Sequence, residues 1–280
     1  MTNRFEVNGL RFDMYTGGQK DLVPNAVLMS GRKDAILFDV GFVPSEVKRL
    51  VKMIKDSGKR LRAALITHAH PDHYGGMGQI REAFPDAPIL ARQSVIDGII
   101  EWPAKRVHWQ EMYGDDLPVE VTPPAPLNGS TVYLEDREIV LFDLPVAETV
   151  HATAFYVPSA RAFVAGDLLF NDLHLYTSDT NNPTSWISAI EASRNLGPID
   201  LVFPGHGPAG GTEIFDKNVK WLEDYREVAK PGVRIADIAK EMTKRYPEYG
   251  LAILLWLTRG PGFGLCGARE LGVPPELMGG

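Results

Sequence analysis

The segment Thr67-His68-Ala69-His70-Pro71-Asp72-His73 constrains this chain more than any other. It gathers three of the seven histidines into six positions, interleaves an aspartate, and follows the short apolar run Leu61 to Ile66. Imidazole and carboxylate are borderline-to-hard ligands that suit zinc, iron or manganese. A solvated turn accounts poorly for that density. A chain that leaves a strand at Thr67 and enters a helix near His73 aims His68 and His70 to one side. Asp72 and His73 then face a neighbouring point, so one short segment feeds two metals. The fold must therefore open the end of a buried strand onto a site.

The flanking pattern supplies such a frame. Asn25 to Ser30 and Ala35 to Val40 read as strands. A helix follows from Ser45 to about Ser57, with Val47, Leu50, Val51 and Ile54 at helical spacing, and Leu61 to Ile66 is the next strand. That order predicts an α/β layer. Helices are expected at Gly76 to Phe84, at Ser94 to Gly114 with a break at Pro103, at Trp186 to Leu196, Phe215 to Ala229 and Ile235 to Arg245. Strands are expected at Ser130 to Leu134, Arg137 to Leu144, Thr153 to Val157, Ala162 to Ala165 and Leu201 to Phe203. The expected organisation is one domain over 1–280, with an inserted helical segment at about 93–127 and closing helices at about 215–250.

Composition removes several classes. A chain of 280 residues needs no covalent staple to build a core. The net charge of -7 repels phosphate backbones and gives no attraction to anionic membrane, so neither nucleic acid nor membrane is an expected partner. The only cysteine, Cys266, excludes an intramolecular disulfide and a cysteine-rich zinc site. The first residues carry no basic region followed by an apolar run, and the apolar stretch Leu251 to Leu257 falls far short of the ~20 residues a membrane span needs. The expectation is a cytoplasmic protein with a small-molecule substrate; Leu251 to Leu257 serves either the core or a homodimer contact.

Further ligand candidates sit at the ends of later strands: Asp167 in Ala165-Gly166-Asp167 and His206 in Pro204-Gly205-His206-Gly207. Glycine beside each lets backbone approach a crowded site. With these in order, His68-Ala69-His70-Pro71-Asp72-His73-Tyr74-Gly75-Gly76 resembles the signature of the metallo-β-lactamase superfamily. Ala165 to Phe170 and Phe203 to Gly207 resemble its later motifs, and Asn25 to Gly41 its opening strand pair. The resemblance implies a four-layer αβ/βα sandwich with metals at the sheet edge. It implies His68 and His70 on a first metal, Asp72, His73 and His206 on a second, and Asp167 bridging.

The family's remaining histidine, usually in Gly-His-Thr, is where the chain departs. Aligning Ala154 to Pro158 on the usual strand puts Glu148-Thr149 at that place, with His151 three positions later. Either Glu148 is the ligand, which the register favours and some relatives resembling alkyl-sulfatases share, or His151 reaches in from a shifted loop.

Two metals sharing a water lower its pKa so that hydroxide exists near neutral pH. The resemblance therefore implies a dinuclear hydrolase, zinc first and iron or manganese as alternatives, that cleaves an ester, lactone or thioester with Asp72 relaying the proton. Asp167, standing where β-lactamases use cysteine, argues against antibiotic hydrolysis. Phe170, where some lactonases of the family carry tyrosine, argues less strongly against acyl-lactones. Trp102, Trp109 and Tyr113, at helical spacing, serve either the core or an apolar substrate pocket; Phe170 is a further pocket candidate, His174 and Tyr176 are weaker ones, and Gly260 to Gly264 is either a lid or a plain surface turn. Two other readings stand beside the hydrolase: an iron-dependent oxidoreductase resembling the persulfide dioxygenases of the same fold, and a non-catalytic metal-binding protein.

Overall fold

The structure is a computed structural model that describes residues 2–19 and 22–257. The expected lid at Gly260 to Gly264 lies outside them. Two sheets form. The first runs in the order β1 (Thr2–Val7), β2 (Leu10–Thr16), β3 (Asn25–Ser30), β4 (Asp34–Phe38), β5 (Arg60–Leu65), β6 (Ile89–Ala91) and β7 (Ala125–Pro126). The second comprises β8 (Thr131–Leu134), β9 (Arg137–Asp143), β10 (Thr153–Val157), β11 (Ala162–Phe170) and β12 (Leu201–His206), with β12 and β8 at its edges.

Strand alternation explains why the sheets stack. Side chains along a strand point to opposite faces in turn. In β3, Val27 and Met29 join a core with Phe155, Val157, Val164 and Phe203 of the other sheet, while Ala26 and Leu28 face away. Ile36 and Phe38 of β4 point inward likewise, and Ala35 and Leu37 outward. In β10, Phe155 and Val157 enter the shared core while Ala154 and Tyr156 face a third cluster. Both faces of both sheets are thus apolar, and each outer face needs a cover of helices.

The covers are α1 (Pro44–Asp56), α2 (Pro71–Tyr74), α3 (Met77–Ala83), α4 (Gln93–Ile100) and α5 (Trp102–Tyr113) on the side of the first sheet. On the second sheet they are α6 (Pro183–Arg194), α7 (Glu213–Val228) and α8 (Ile235–Arg245), which bring Trp186, Trp221 and Met242. The result is the four-layer αβ/βα sandwich. α1 buries Val47, Leu50 and Ile54 and starts on Pro44, whose fixed φ suits a first helical position. The helix expected over Ser94 to Gly114 is two helices, because the chain turns at Glu101 and Pro103 then sits in the first turn of α5. α6 starts earlier than expected, where Asn182 caps it by accepting from the Ser185 N–H. Among the described residues no helix is long and apolar enough to cross a membrane. Leu254 and Leu255 of the apolar C-terminal run are buried in the α6–α8 cluster.

The parallel pairs set the site. β4 with β5, and β11 with β12, run in the same direction. Ligands gather beyond the carboxyl ends of such strands. Asn25 ties the two sheets there: its amide donates to the carbonyls of Pro204 (2.9 Å) and Gly207 (2.7 Å).

Candidate metal centre

Four side chains, those of His68, His70, Glu148 and Asp167, bring one ligand atom each within 4.8 Å of one another, and Asp72, His73 and His206 do the same beside them. The first histidines leave β5 directly; Asp72 and His73 lie on α2, whose start is set by Pro71. Asp167 lies in β11 and His206 closes β12. Asp167 touches both groups: its Oδ2 is 3.7 Å from His68 Nε2 and 3.3 Å from His206 Nε2, and its Oδ1 is 3.1 Å from His73 Nε2. Such closeness requires a bare backbone opposite, since a Cβ on Gly205 would stand 1.9 Å from Asp167 Oδ1.

Each histidine presents one ring nitrogen inward and anchors the other. A carboxylate can only accept, so His73 Nδ1 donates to Asp39 Oδ2 at 2.9 Å and His70 Nε2 donates to Asp179 Oδ2 at 2.8 Å. Thr67 Oγ1 donates to Asp39 Oδ2 (2.9 Å), which leaves the threonine oxygen to accept from His68 Nδ1 (2.9 Å). His206 Nδ1 donates to the Leu22 carbonyl at 2.8 Å. One buried carboxylate, Asp39, therefore orients a histidine of each group, and the Thr67 N–H holds it at 2.8 Å. Its backbone sits at φ 57°, a left-handed conformation that a side chain disfavours.

These donors fit a metal. His68 Nε2, both oxygens of Glu148 and Asp167 Oδ1 are buried and make no hydrogen bond. Buried polar atoms without partners are costly, and a cation supplies the missing partner. Electrostatics agree. Burial pushes the Glu148 carboxyl well up, with Asp179 and Asp167 adding to it, and burial with the His73 charge pushes His68 well down. At Asp72 burial is outweighed by His73 and His206, which bring its carboxyl down to about 2. At His206 burial is outweighed by Asp167 and Asp72, which bring the imidazole up to about 9. Without metal the second group therefore holds protons that a cation must displace.

The departure from the usual ligand pattern has a geometric outcome. Glu148 is buried, with its Oε1 3.2 Å from His70 Nδ1. His151 is exposed and lies outside both groups; it lines an outer groove with Thr149, Ser94 and Glu101. The reason is register: Thr153 N–H donates to the Thr67 carbonyl (2.8 Å) and Ala152 bridges His68, which leaves the preceding His151 at the rim.

A cleft of about 660 Å³, open to solvent, lies over the ligands. Of the expected pocket residues, Trp109 and Phe170 line it, and Phe170 stacks on His206 at 4.9 Å between ring centres. Three do not. Trp102 is core, edge-on to Phe42 and Tyr74, with its indole N–H donating to the Pro118 carbonyl at 3.1 Å. Tyr113 packs on Phe42 at 4.8 Å, because positions 102, 109 and 113 of α5 all turn toward that ring. His174 is fully buried beyond the end of β11, accepting from the Trp221 indole at 3.3 Å. Tyr176 lines the cleft, as do Leu22, Lys105, Asp179, Leu254 and Leu257, which sequence reasoning missed. Only the pair Lys105 and Trp109, four apart on one helix, carried a usable signal.

A family model described as the metallo-beta-lactamase superfamily matches residues 20–206. This chain belongs to the metallo-beta-lactamase superfamily. A relative from Bacillus cereus named metallo-beta-lactamase type 2 is 28% identical over 66% of this chain and 68% of its own length. A beta-lactamase-like protein 2 homolog from Caenorhabditis elegans is 25% identical over 72% of this chain, which spans 60% of that protein. The solved metallo-beta-lactamase from Pontibacter korlensis superposes with a TM-score of 0.62 at 18% identity, covering 80% of this chain and all of that one. At that distance the superfamily supplies the fold and the metal-binding groups of histidine and carboxylate.

Proposed function

We propose that this chain is a hydrolase that holds two divalent cations, zinc by its donor set, and cleaves an ester, lactone or thioester. The observation that carries the reading is Asp167, whose two oxygens reach histidines of both ligand groups. His68, His70 and Glu148 would hold the first ion with Asp167, and Asp72, His73 and His206 the second. When bound, the pair supplies a water acidic enough to attack at neutral pH and an electrophilic hold on the substrate oxygen.

The chain does the rest. Asp39, Thr67, Asp179 and the Leu22 carbonyl fix the four imidazoles in the tautomer that faces inward. Phe170, stacked on His206, keeps water from that ring's face. Asp72 lines the cleft with its Oδ2 3.3 Å from His206 Nε2, and its carboxylate would take the proton of the attacking water. The acyl group lies along Trp109, Tyr176 and Leu254. Three carboxylates among seven ligands also suit iron, so an iron-dependent redox enzyme is the second reading.

A screen of zinc-loaded protein with chromogenic esters, thioesters and lactones tests the proposal. Turnover that disappears on chelation and returns with zinc is the expected result. Failure across all three classes, together with oxygen-sensitive iron in protein purified without added metal, would replace the hydrolase with the redox reading.

A further inference from the structure

Each open sheet has two edge strands, and every edge presents backbone N–H and C=O groups that the sheet itself cannot pair. Three of the four edges here are short or covered. β7 has two residues and β8 four. On the free side of β12, Val202 exchanges two backbone hydrogen bonds with Gly210. β1 differs. It runs for six residues in unbroken register, without proline, lysine or a bulge, and Thr2, Arg4 and Glu6 are exposed.

The hairpin turn decides which groups face outward. Asn8 and Gly9, both at positive φ, join β1 to β2 as a two-residue loop, so the closing pair Val7 and Leu10 is hydrogen-bonded. Bonded and open pairs alternate along antiparallel strands. Val7, Phe5 and Asn3 therefore bond to β2, and the N–H and C=O of Thr2, Arg4 and Glu6 point away from the sheet. No backbone hydrogen bond among the described residues takes them up.

A second copy fits this edge in one register. Two β1 strands related by a two-fold axis run antiparallel, and only their outward residues can exchange bonds. One register sets Arg4 against Arg4 of the partner subunit, which repels. The next sets Arg4 against Glu6 of the partner subunit and Glu6 against Arg4 of the partner subunit, with the two Phe5 rings meeting at the axis. The side chains suit that register. Arg4 gives its Nε to Asp13 at 2.7 Å but is 59% exposed, and Glu6 has no ion pair among the described residues. Phe5 lies edge-on to Phe203 at 5.5 Å and is only half-buried, so it keeps an apolar side open.

We propose that this chain pairs with a second copy of itself through β1, joining two seven-stranded sheets into one across a two-fold axis. The inference is independent of the chemistry proposed for the metal centre.

Sedimentation equilibrium of the full, metal-loaded chain tests it. The wild type should show a twofold rise in mass with concentration. Arg4→Glu and Glu6→Arg should each weaken association by about tenfold or more, because each sets two pairs of like charges opposite one another. Asp13 keeps Arg11 at 2.8 Å in Arg4→Glu, and both positions are exposed, so the fold is retained, which circular dichroism checks. An equimolar mixture of the two variants should regain the doubled mass, since one copy then offers two acids and the other two bases at the paired positions. A wild type that stays at monomer mass overturns the proposal. So does a dimer that neither variant weakens, or a pair of folded, weakened variants that does not recover on mixing.

Discussion

The floor of the cleft and its wall are built by different rules. The floor is made at strand ends: His68 beyond β5, Asp167 in β11 and His206 at the end of β12 are all buried, and every ligand histidine has its second nitrogen fixed. The wall is made from α5, the chain after β11 and the C-terminal turn, where Trp109, Tyr176 and Leu257 are only partly buried. The contrast teaches that the frame dictates the chemistry, while the elements hung on it select what enters. Substitutions in the two regions should therefore fail differently.

The largest effect belongs to the floor. Asp72→Asn should lower hydrolysis by about 10²–10⁴-fold in steady-state assays while the protein stays folded. Full activity in that variant would remove Asp72 from the proton path. Next comes a wall residue that is really core. Trp102→Ala should cost about 3–5 kcal/mol in denaturant unfolding, because it empties a buried site against Phe42 and Tyr74. If Trp102 instead shaped the cleft, KM would rise with little loss of stability.

Asp39→Ala should weaken metal retention by about 10–100-fold in competition with a chelator, since it releases a histidine in each group at once. Loss confined to one metal would break the claim that Asp39 serves both. Trp109→Ala, in the true wall, should raise KM several-fold and leave kcat and metal content close to wild type. An equal fall in kcat would put Trp109 in the floor's class.

The smallest effect is a pH slope. Burial pushes the His174 imidazole down to about 4, from an ordinary 6.5. Protonation is disfavoured in the fold, so the contribution is whole above about pH 6.5 and is lost as pH falls toward 4. His174→Asn keeps an acceptor for the Trp221 indole and removes the titration. Unfolding free energies of the chelated proteins between pH 6.5 and 4.5 should then fall less steeply in the variant, and equal slopes would show that His174 does not titrate there.

The same contrast explains what could be read from residues in order. The floor was legible because its ligands come from short motifs at apolar strand ends, and α8 and β3 lie where their residues put them, at Ile235–Arg245 and Asn25–Ser30. The Glu148 position could be reached by aligning β10, but the choice between it and His151 required the bridge between His68 and Ala152. The wall was mostly hidden. Trp102, Trp109 and Tyr113 are all aromatic on one helix and all pack on Phe42, and only the position of the cleft separates Trp109, which lines it, from the other two. Leu22 and Leu254 lie far apart in the chain, and Asp179 sits in a loop with no periodic signal, so nothing local announced their meeting.

The most direct test of the account is metal stoichiometry of the purified chain after chelation and reconstitution, read by elemental analysis of the protein freed of loose ion. Two equivalents retained by the wild type, and a loss in Asp167→Ala that involves both, is the result the shared carboxylate predicts. One equivalent or none in the wild type, or an Asp167→Ala protein that keeps two, would contradict it.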